Sequence, residues 1–365
     1  MPEAEDRWLC DPGFRAGVPW SCLERGFDCN GSLQGKPRSR QGRQPAGVDN
    51  SPMHLVLPFA SALSPAAGHA LSTLQLPALE RLLARLEPTE RDEGDEFSLT
   101  PPHERALARV WGWPQTPDGL HPFAAQAARR DGLPEAPAGR AWALLTPAHW
   151  HVGTDQISLG DPTALGLDAA FSRLLFESLV PLFDDEGWTL LWGAPTRWYA
   201  HHESLASIPS ASLDRVIGRN VDLWLGDDPG TRRVRRLQAE AQMLLHRHPL
   251  NEAREAEGVL PVNSFWLSGT GATQAAPPPG ATMVDDRLRA PALAEDWAAW
   301  AEAWHALDAG PVAAALRAAE AGDAVQLTLT GERHAQTFAP AARPWWRRGL
   351  LAPRHRHAAP WLAAL

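Results

Sequence analysis

The fold is decided by "MHLVLPFA", residues 53–60, a short apolar run that begins abruptly and is typical of a buried first strand. After it, segments with apolar residues three and four apart predict helices, and short apolar or alternating segments between them predict strands. The helical segments are 76–88, 103–113, 168–187, 231–248, 293–307 and 310–322, and the strand-like ones are 139–162, 188–195, 196–204, 261–268, 281–286 and 324–332. This interleaving favours a layered α/β fold with a mostly parallel or mixed sheet flanked by helices.

The domain organisation follows from a change in composition at Met53. Residues 1–52 are rich in Gly, Pro, Ser, Gln and Arg and lack hydrophobic periodicity, so we expect a disordered leader or an upstream extension. Residues 53–365 are expected to form a single large α/β domain with a tryptophan-rich helical C-terminal part. A metal-binding role for Cys10, Cys22 and Cys29 would need a fourth ligand and tighter spacing.

Composition excludes several functional classes. A formal net charge of −9 argues against non-specific nucleic-acid binding. Because Lys36 is the only lysine, Schiff-base catalysis and a P-loop lysine are excluded from the predicted domain. The three cysteines all precede residue 30, so the rest of the chain has no thiol, and a cytoplasmic location is expected. No apolar run approaches the roughly 20 residues of a membrane-spanning helix.

The stretch "PVNSFWLSGTG", residues 261–271, predicts a strand that runs into a loop of small polar residues. In open α/β sheets ligands bind beyond the carboxyl ends of strands, and glycine allows close backbone approach to a ligand. The candidate ligand-binding residues here are Asn263, Ser264, Ser268, Gly269, Thr270 and Gly271. The alternative is a strand that simply turns into a proline-rich loop, since the G-x-G-x-x-G spacing is absent.

An arginine-rich stretch supplies the second candidate. Asp214, Arg215 and Arg219 lie in one short segment, and Arg235 lies on the border of the apolar stripe of the following helix. Guanidinium groups match phosphate geometry, so these residues are predicted to meet an anionic ligand. The alternative is a solvated helix flank with internal Arg–Glu pairs.

Histidine gives the only candidate acid–base pair. His149 and His151 would share one face of a strand, and Asp155 follows them closely. We predict His149 and Asp155 as catalytic partners if the protein catalyses a reaction. Two histidines without a definite third ligand do not predict a metal site.

Aromatic side chains favour packing over binding. The 4, 3, 4, 3 spacing of Leu293, Trp297, Trp300, Trp304 and Leu307 predicts one buried helical stripe. The final segment, 343–365, mixes Arg, His and Trp and is predicted to pack on the domain. The alternative is a nucleic-acid-contacting tail.

Several stretches together resemble a known family. They are "HLVLPFA" (54–60), "TPAHW" (146–150), "DQISLGDP" (155–162), "SLDRVIGR" (212–219) and the long segment 235–271. From about Met53 to Gly271 the chain resembles the RpfE-type bacterial regulatory proteins, also labelled cofactor-independent phosphoglycerate mutases. The resemblance implies either a regulatory role or a phosphomutase-like activity, and it assigns no catalytic residue or cofactor.

The sequence therefore predicts a cytoplasmic protein that binds a phosphorylated or other anionic small molecule. The alternative is a non-catalytic regulatory protein that acts through protein–protein contacts. The cofactor is unknown, and neither nucleic acid nor membrane is an expected partner. One cleft holding Asp214, Arg219, Asn263 and His149 would favour the ligand-binding hypothesis, and scattering of these residues would favour the alternative.

Overall fold

The computed structural model describes residues 53–277, 282–340 and 356–365. The predicted leader 1–52 and most of the predicted tail lie outside the described residues. The described part belongs to one compact unit that runs from Asn50 to Leu365.

Strands and helices alternate along this unit. The strands are β1 (Met53–Leu57), β2 (Leu86–Asp92), β3 (Ala141–Ala148), β4 (Trp150–Val152), β5 (Ile157–Leu159), β6 (Thr189–Ala194), β7 (Arg197–His202), β8 (Ser264–Ser268), β9 (Thr282–Val284), β10 (Val325–Thr330) and β11 (Ala335–Pro340). The helices are α1 (Pro65–Thr73), α2 (Pro77–Arg85), α3 (Pro102–Val110), α4 (Phe123–Arg130), α5 (Ala169–Asp184), α6 (Leu213–Val216), α7 (Pro229–His246), α8 (Pro249–Ala256), α9 (Arg289–Leu293), α10 (Trp297–Leu307), α11 (Ala313–Ala321) and α12 (Ala358–Ala363). Short 3-10 and π turns connect some of them.

The first sheet is mixed and has the order β2-β11-β10-β1-β9. Strand β1 pairs in parallel with β10 and β9, whereas β11 is antiparallel to β10 and β2. The apolar face of the sheet packs against α1, α2, α10, α11 and α12. Trp300, Trp304 and Leu307 are fully buried in this core and Trp297 packs at its edge, which confirms this part of the predicted stripe as packing. Leu293 belongs to α9 and packs on another cluster, so the predicted stripe is not continuous.

The second sheet is antiparallel and has the order β6-β7-β3-β8. Helices α5 and α7 cover one face, where the predicted α7 stripe is buried at Val234, Leu237 and Leu245, while Leu244 stays 37% exposed. Helix α4 packs on the other face against Trp142 and Tyr199. Both sheets are flanked by helices, and the first sheet is mixed, which confirms the predicted α/β class.

Several elements differ from the sequence-based expectation: α1, α8, α9 and β11 were not predicted, and the helix predicted over 293–307 begins only at Trp297. The helix predicted over 76–88 ends at Arg85, and the chain continues as strand β2. Helix α4 was not predicted at all. It is only eight residues long and alanine-rich, and the glycine that closes it, Gly132, has φ 72°.

No helix within the described ranges combines the length and the apolar character that crossing a membrane requires.

Candidate functional site

A cavity of about 240 Å³ lies between α3, α4, the turn at 212–214 and the end of β8, and we call it the α3–α4 cavity. Its polar wall is formed by Glu104, Gln126, Arg130, Ser212, Asp214, Ser268 and Gly269. Trp111 and Phe123 add an aromatic wall, with ring centroids 5.5 Å apart. The cavity therefore joins the segment after Ser212 to the beginning of the glycine loop, which the sequence analysis placed in a common site.

Asp214 is held by Arg289 and His103 behind the cavity wall. Its Oδ1 accepts a hydrogen bond of 2.8 Å from Nε of Arg289, and its Oδ2 lies 3.2 Å from Nε2 of His103. Burial alone would raise the pKa of Asp214, but the hydrogen bond from His103 and the charge of Arg289 outweigh it and lower the pKa to about 2. Asp214 is thus ionised at neutral pH, and its charge is compensated.

Glu104 is the second carboxyl group of the cavity, and its pKa is shifted in the opposite direction. It lies in the first turn of α3 and accepts a hydrogen bond of 2.6 Å from Oγ of Ser212. Burial raises the pKa of Glu104 to about 7, against the smaller lowering effects of His103 and of the Ser212 hydrogen bond. Two neighbouring carboxyl groups whose pKa values are pushed apart can serve as proton donor and fixed charge.

Arg130 and Gln126 on α4 face the same cavity. Arg130 is exposed, lies 5.9 Å from the Trp111 ring centroid and forms no ion pair with any described residue. The side-chain oxygen of Gln126 is buried without a hydrogen-bond partner in the described structure. Buried polar atoms are usually paired, so an unpaired one beside a cavity is available to a ligand.

The arginines predicted to bind a ligand are engaged within the fold. Arg215 is 3% exposed and donates hydrogen bonds to the backbone oxygens of Glu332, at 2.8 Å, and Asp95, at 3.2 Å. Arg219 pairs with the Glu332 carboxylate, and Arg235 donates to the backbone oxygen of Leu225 at 2.6 Å. We call residues 212–219, which include α6, the 212–219 turn. The contacts of Arg215 and Arg219 hold this turn beside the carboxyl end of β10, so these arginines position Asp214 rather than line the cavity.

The glycine loop is packed for most of its length. Thr270 is fully buried, and its hydroxyl donates to the backbone oxygen of Ile208 at 2.6 Å. Gly269 has φ 70° and Gly271 has φ 125°, and a Cβ at Gly271 would lie 2.4 Å from the Leu120 backbone oxygen. The glycines are therefore required by backbone conformation and close packing, and only Ser268 and Gly269 reach the cavity.

Asn263 and Ser264 lie away from the cavity at the other end of β8. The Asn263 side chain accepts from the backbone nitrogen of Trp150 at 2.7 Å and donates to its oxygen at 2.9 Å, which closes the bend between β3 and β4. Ser264 is fully buried, and its hydroxyl has no partner among the described residues.

The structure does not bring His149 and Asp155 together. Nδ1 of His149 lies 2.8 Å from the backbone oxygen of Pro261, and its ring contacts that of His151 at 4.6 Å. Asp155 is exposed in the turn between β4 and β5, and no hydrogen bond or ion pair joins it to His149 among the described residues. Within the described ranges, no group of three or more potential metal ligands is clustered around these residues or elsewhere.

Sequence reasoning missed Glu104, Gln126, Arg130 and Ser212. Glu104 was read only as part of an amphipathic helix, since a raised pKa depends on tertiary burial. The signal that could have found Gln126 and Arg130 is "FAAQAARRDG", a short helix with a closing glycine. Ser212 could have been found as the residue that caps the segment beginning at Leu213.

Comparisons with known proteins give only distant similarities. No model of a known protein family matches the chain, and no curated protein matches it. Among solved structures, similarity extends to a cofactor-independent phosphoglycerate mutase from Thermoplasma acidophilum, at 13% identity and a TM-score of 0.33, covering 80% of this chain and 90% of that one. The PH0037 protein from Pyrococcus horikoshii is similar at 11% identity and a TM-score of 0.38, covering 80% and 87%. At these values the similarity assigns no residue and no activity to this chain.

Proposed function

We propose that the protein binds a phosphorylated or other anionic small molecule in the α3–α4 cavity. The observation that carries the proposal is the unpaired guanidinium of Arg130 beside an enclosed polar wall. A phosphomutase-like activity is one of the two roles that the RpfE-type resemblance implies, and it forms part of the same proposal together with the cytoplasmic location expected from cysteine usage; the other role, regulation without catalysis, is the alternative.

The charge balance of the cavity supports an anionic ligand. Asp214 is compensated by Arg289 and His103, and Glu104, with a pKa of about 7, is about half protonated at neutral pH. Arg130 then supplies the one full charge without a counter-ion among the described residues of the wall. An arginine fork is well suited to the oxygens of a phosphate or carboxylate.

The neutral part of the ligand would contact the remaining wall. Ser268, Ser212 and the free oxygen of Gln126 offer hydrogen bonds to hydroxyl groups, and Trp111 and Phe123 offer apolar surface. In its protonated form Glu104 could donate to a ligand oxygen, and in its ionised form it could accept a proton. The site thus allows acid–base chemistry on a bound phosphorylated metabolite.

The proposal is tested by titrating the protein with sugar phosphates, phosphoglycerates and inorganic sulfate while following its melting temperature. Arg130→Gln should weaken the best-binding anion at least tenfold, because a hydrogen bond to a charged group contributes about 1.5–3 kcal/mol. The melting temperature without ligand should stay unchanged. Arg247→Gln is the matched control, since Arg247 is an exposed arginine far along the chain, at the end of α7, and should leave binding intact.

The regulatory alternative gives the opposite result. If none of these anions raises the melting temperature, or if Arg130→Gln and Arg247→Gln affect binding equally, the cavity is not an anion site.

A further inference from the structure

The two faces of the first sheet differ in polarity. Strands β1 and β10 pair in register, and Leu55 and Leu57 with Leu327 and Leu329 face the main core. Alternation places the other side chains on the opposite face: His54, Val56, Gln326, Thr328 and Thr330, with Thr337 beside them on β11. A sheet face covered by helices is normally apolar, because burying polar groups is unfavourable unless they are paired.

A second cavity, of about 270 Å³, lies between this polar face and α3, and we call it the sheet–α3 cavity. Its polar lining is formed by His54, Glu90, Arg109, Gln326 and Thr337. At ~30 Å³ per water molecule it has room for roughly nine waters or a ligand of comparable bulk. The lining shares no residue with the α3–α4 cavity.

The hydrogen-bonding groups of this cavity are held in place but not saturated. Nε2 of His54 lies 2.8 Å from Oγ1 of Thr328, which lies 2.8 Å from Oγ1 of Thr337. Nδ1 of His54 and the side-chain amide of Gln326 make no hydrogen bond to a described residue. His54 is 7% exposed and Gln326 is half-buried, and both residues line the cavity.

The charges at the rim are paired, since Asp92 also accepts a hydrogen bond of 2.8 Å from Nε of Arg105. Nε of Arg109 lies 2.8 Å from Oε1 of Glu90, and Nη2 of Arg109 lies 3.1 Å from Oδ2 of Asp92. Burial lowers the pKa of His54, so its ring is neutral at pH 7. The described lining therefore presents both hydrogen-bond donors and hydrogen-bond acceptors. It offers no unpaired positive charge that would attract an anion.

We propose that the sheet–α3 cavity binds a small neutral polyhydroxylated molecule of about the size of a hexose or hexitol. Hydroxyl groups both donate and accept, which matches the amide of Gln326, the imidazole of His54 and the Glu90–Arg109 pair. The hydrogen bonds from His54 to Thr328 and from Thr328 to Thr337 fix the imidazole at the cavity, so a ligand would meet its Nδ1 in a defined orientation.

The test is a titration of the full chain with glucose and with sorbitol, followed through the imidazole NMR signals of His54 and the melting temperature. The His54 signals are assigned by their loss in His54→Gln. We expect saturable shifts of these signals, and Gln326→Leu should weaken binding at least tenfold while leaving the melting temperature equal or higher. Loss of binding without loss of stability separates a ligand contact from a structural one.

Thr330→Val is the matched control. Its hydroxyl lies on the same sheet face, is fully buried without a partner in the described structure and does not line the cavity. This variant should bind the polyol normally and melt at a higher temperature. The proposal is overturned if neither polyol shifts His54, if Gln326→Leu binds as the wild type does, or if Arg130→Gln weakens polyol binding. The last result would place the polyol in the α3–α4 cavity.

Discussion

The 212–219 turn and the wall of the α3–α4 cavity both contain buried charged side chains, but they use them differently. In the turn, Arg215 and Arg219 are engaged by Glu332, Asp95 and Ser98, so their hydrogen bonds close loops onto the sheet. In the cavity wall, Arg130 has no ion pair and Gln126 has a free oxygen within the described structure. Arginines that lie close together in the sequence thus stabilise the fold here, whereas Arg130, which lies apart from them and has no ion pair among the described residues, lines the candidate site.

The largest expected effect on stability comes from removing the charge of Asp214. Asp214→Asn removes the charge that compensates Arg289 and His103, and breaking a buried pair in this way is expected to destabilise the protein by about 3–5 kcal/mol in urea unfolding at pH 7. Arg81→Met is the control, because Arg81 and Glu320 form a surface pair that contributes about 0–1 kcal/mol.

The same variant has a defined pH dependence. The folded-state pKa of Asp214, about 2, lies below the ordinary value, so its stabilising contribution is present above about pH 4 and is lost as pH falls towards 2. The difference between wild type and Asp214→Asn should shrink over that range. A difference that is the same at pH 7 and pH 2.5 would contradict the assigned role of the Asp214 charge.

A smaller effect of opposite sign is expected at Glu104. Its folded-state pKa, about 7, lies above the unfolded value of about 4.3, so the contribution of Glu104 to wild-type stability is fully present below about pH 4.3 and is lost as pH rises through 7, by about 3 kcal/mol in all. Glu104→Gln keeps an acceptor for Ser212 and cannot ionise. It should therefore match the wild type at pH 4 and exceed it at pH 8 in urea unfolding.

Glu240→Gln provides the comparison for this prediction. Glu240 is an exposed carboxylate whose contact is Arg236 on the surface of α7. It should show no gain at pH 8. Equal stability of Glu104→Gln and wild type at pH 8 would mean that Glu104 is not desolvated at the cavity wall.

The elements that sequence could predict are those whose pattern is local. Strand β1 is a bounded apolar run, and α7 and α10 carry apolar stripes of helical period, so their existence and buried faces follow from the sequence. Strand β2 was not predicted because it is an edge strand rich in charged residues. It contains Pro88 and shows little alternation of apolar and polar residues.

The candidate site was predictable only in part. Of the predicted set Asp214, Arg219, Asn263 and His149, only Asp214 lines the α3–α4 cavity, where it lies with Ser268 and Gly269 of the predicted loop. The single cleft that would have favoured the ligand-binding hypothesis is therefore not formed by these four residues. The roles of Arg130 and Arg215 could not be distinguished, because an arginine in a sequence carries no sign of whether a carbonyl or a cavity will face it. The difference arises from tertiary contacts alone. Arg215 donates to the backbone oxygen of Glu332, whereas Arg130 lines the α3–α4 cavity.

The smallest expected effect separates packing from ligand approach in the glycine loop. Gly271→Ala places a Cβ 2.4 Å from the Leu120 backbone oxygen at φ 125°, whereas Gly258→Ala places one in open space at φ 73°. Both positions favour glycine, φ 125° more strongly than φ 73°, and overpacking against Leu120 adds to this strain, so Gly271→Ala is expected to be at least about 1–3 kcal/mol less stable than Gly258→Ala. Urea unfolding of the two variants measures the difference. Equal stabilities, combined with weaker anion binding in Gly271→Ala alone, would show that the loop is shaped for a ligand instead of for its contact with Leu120.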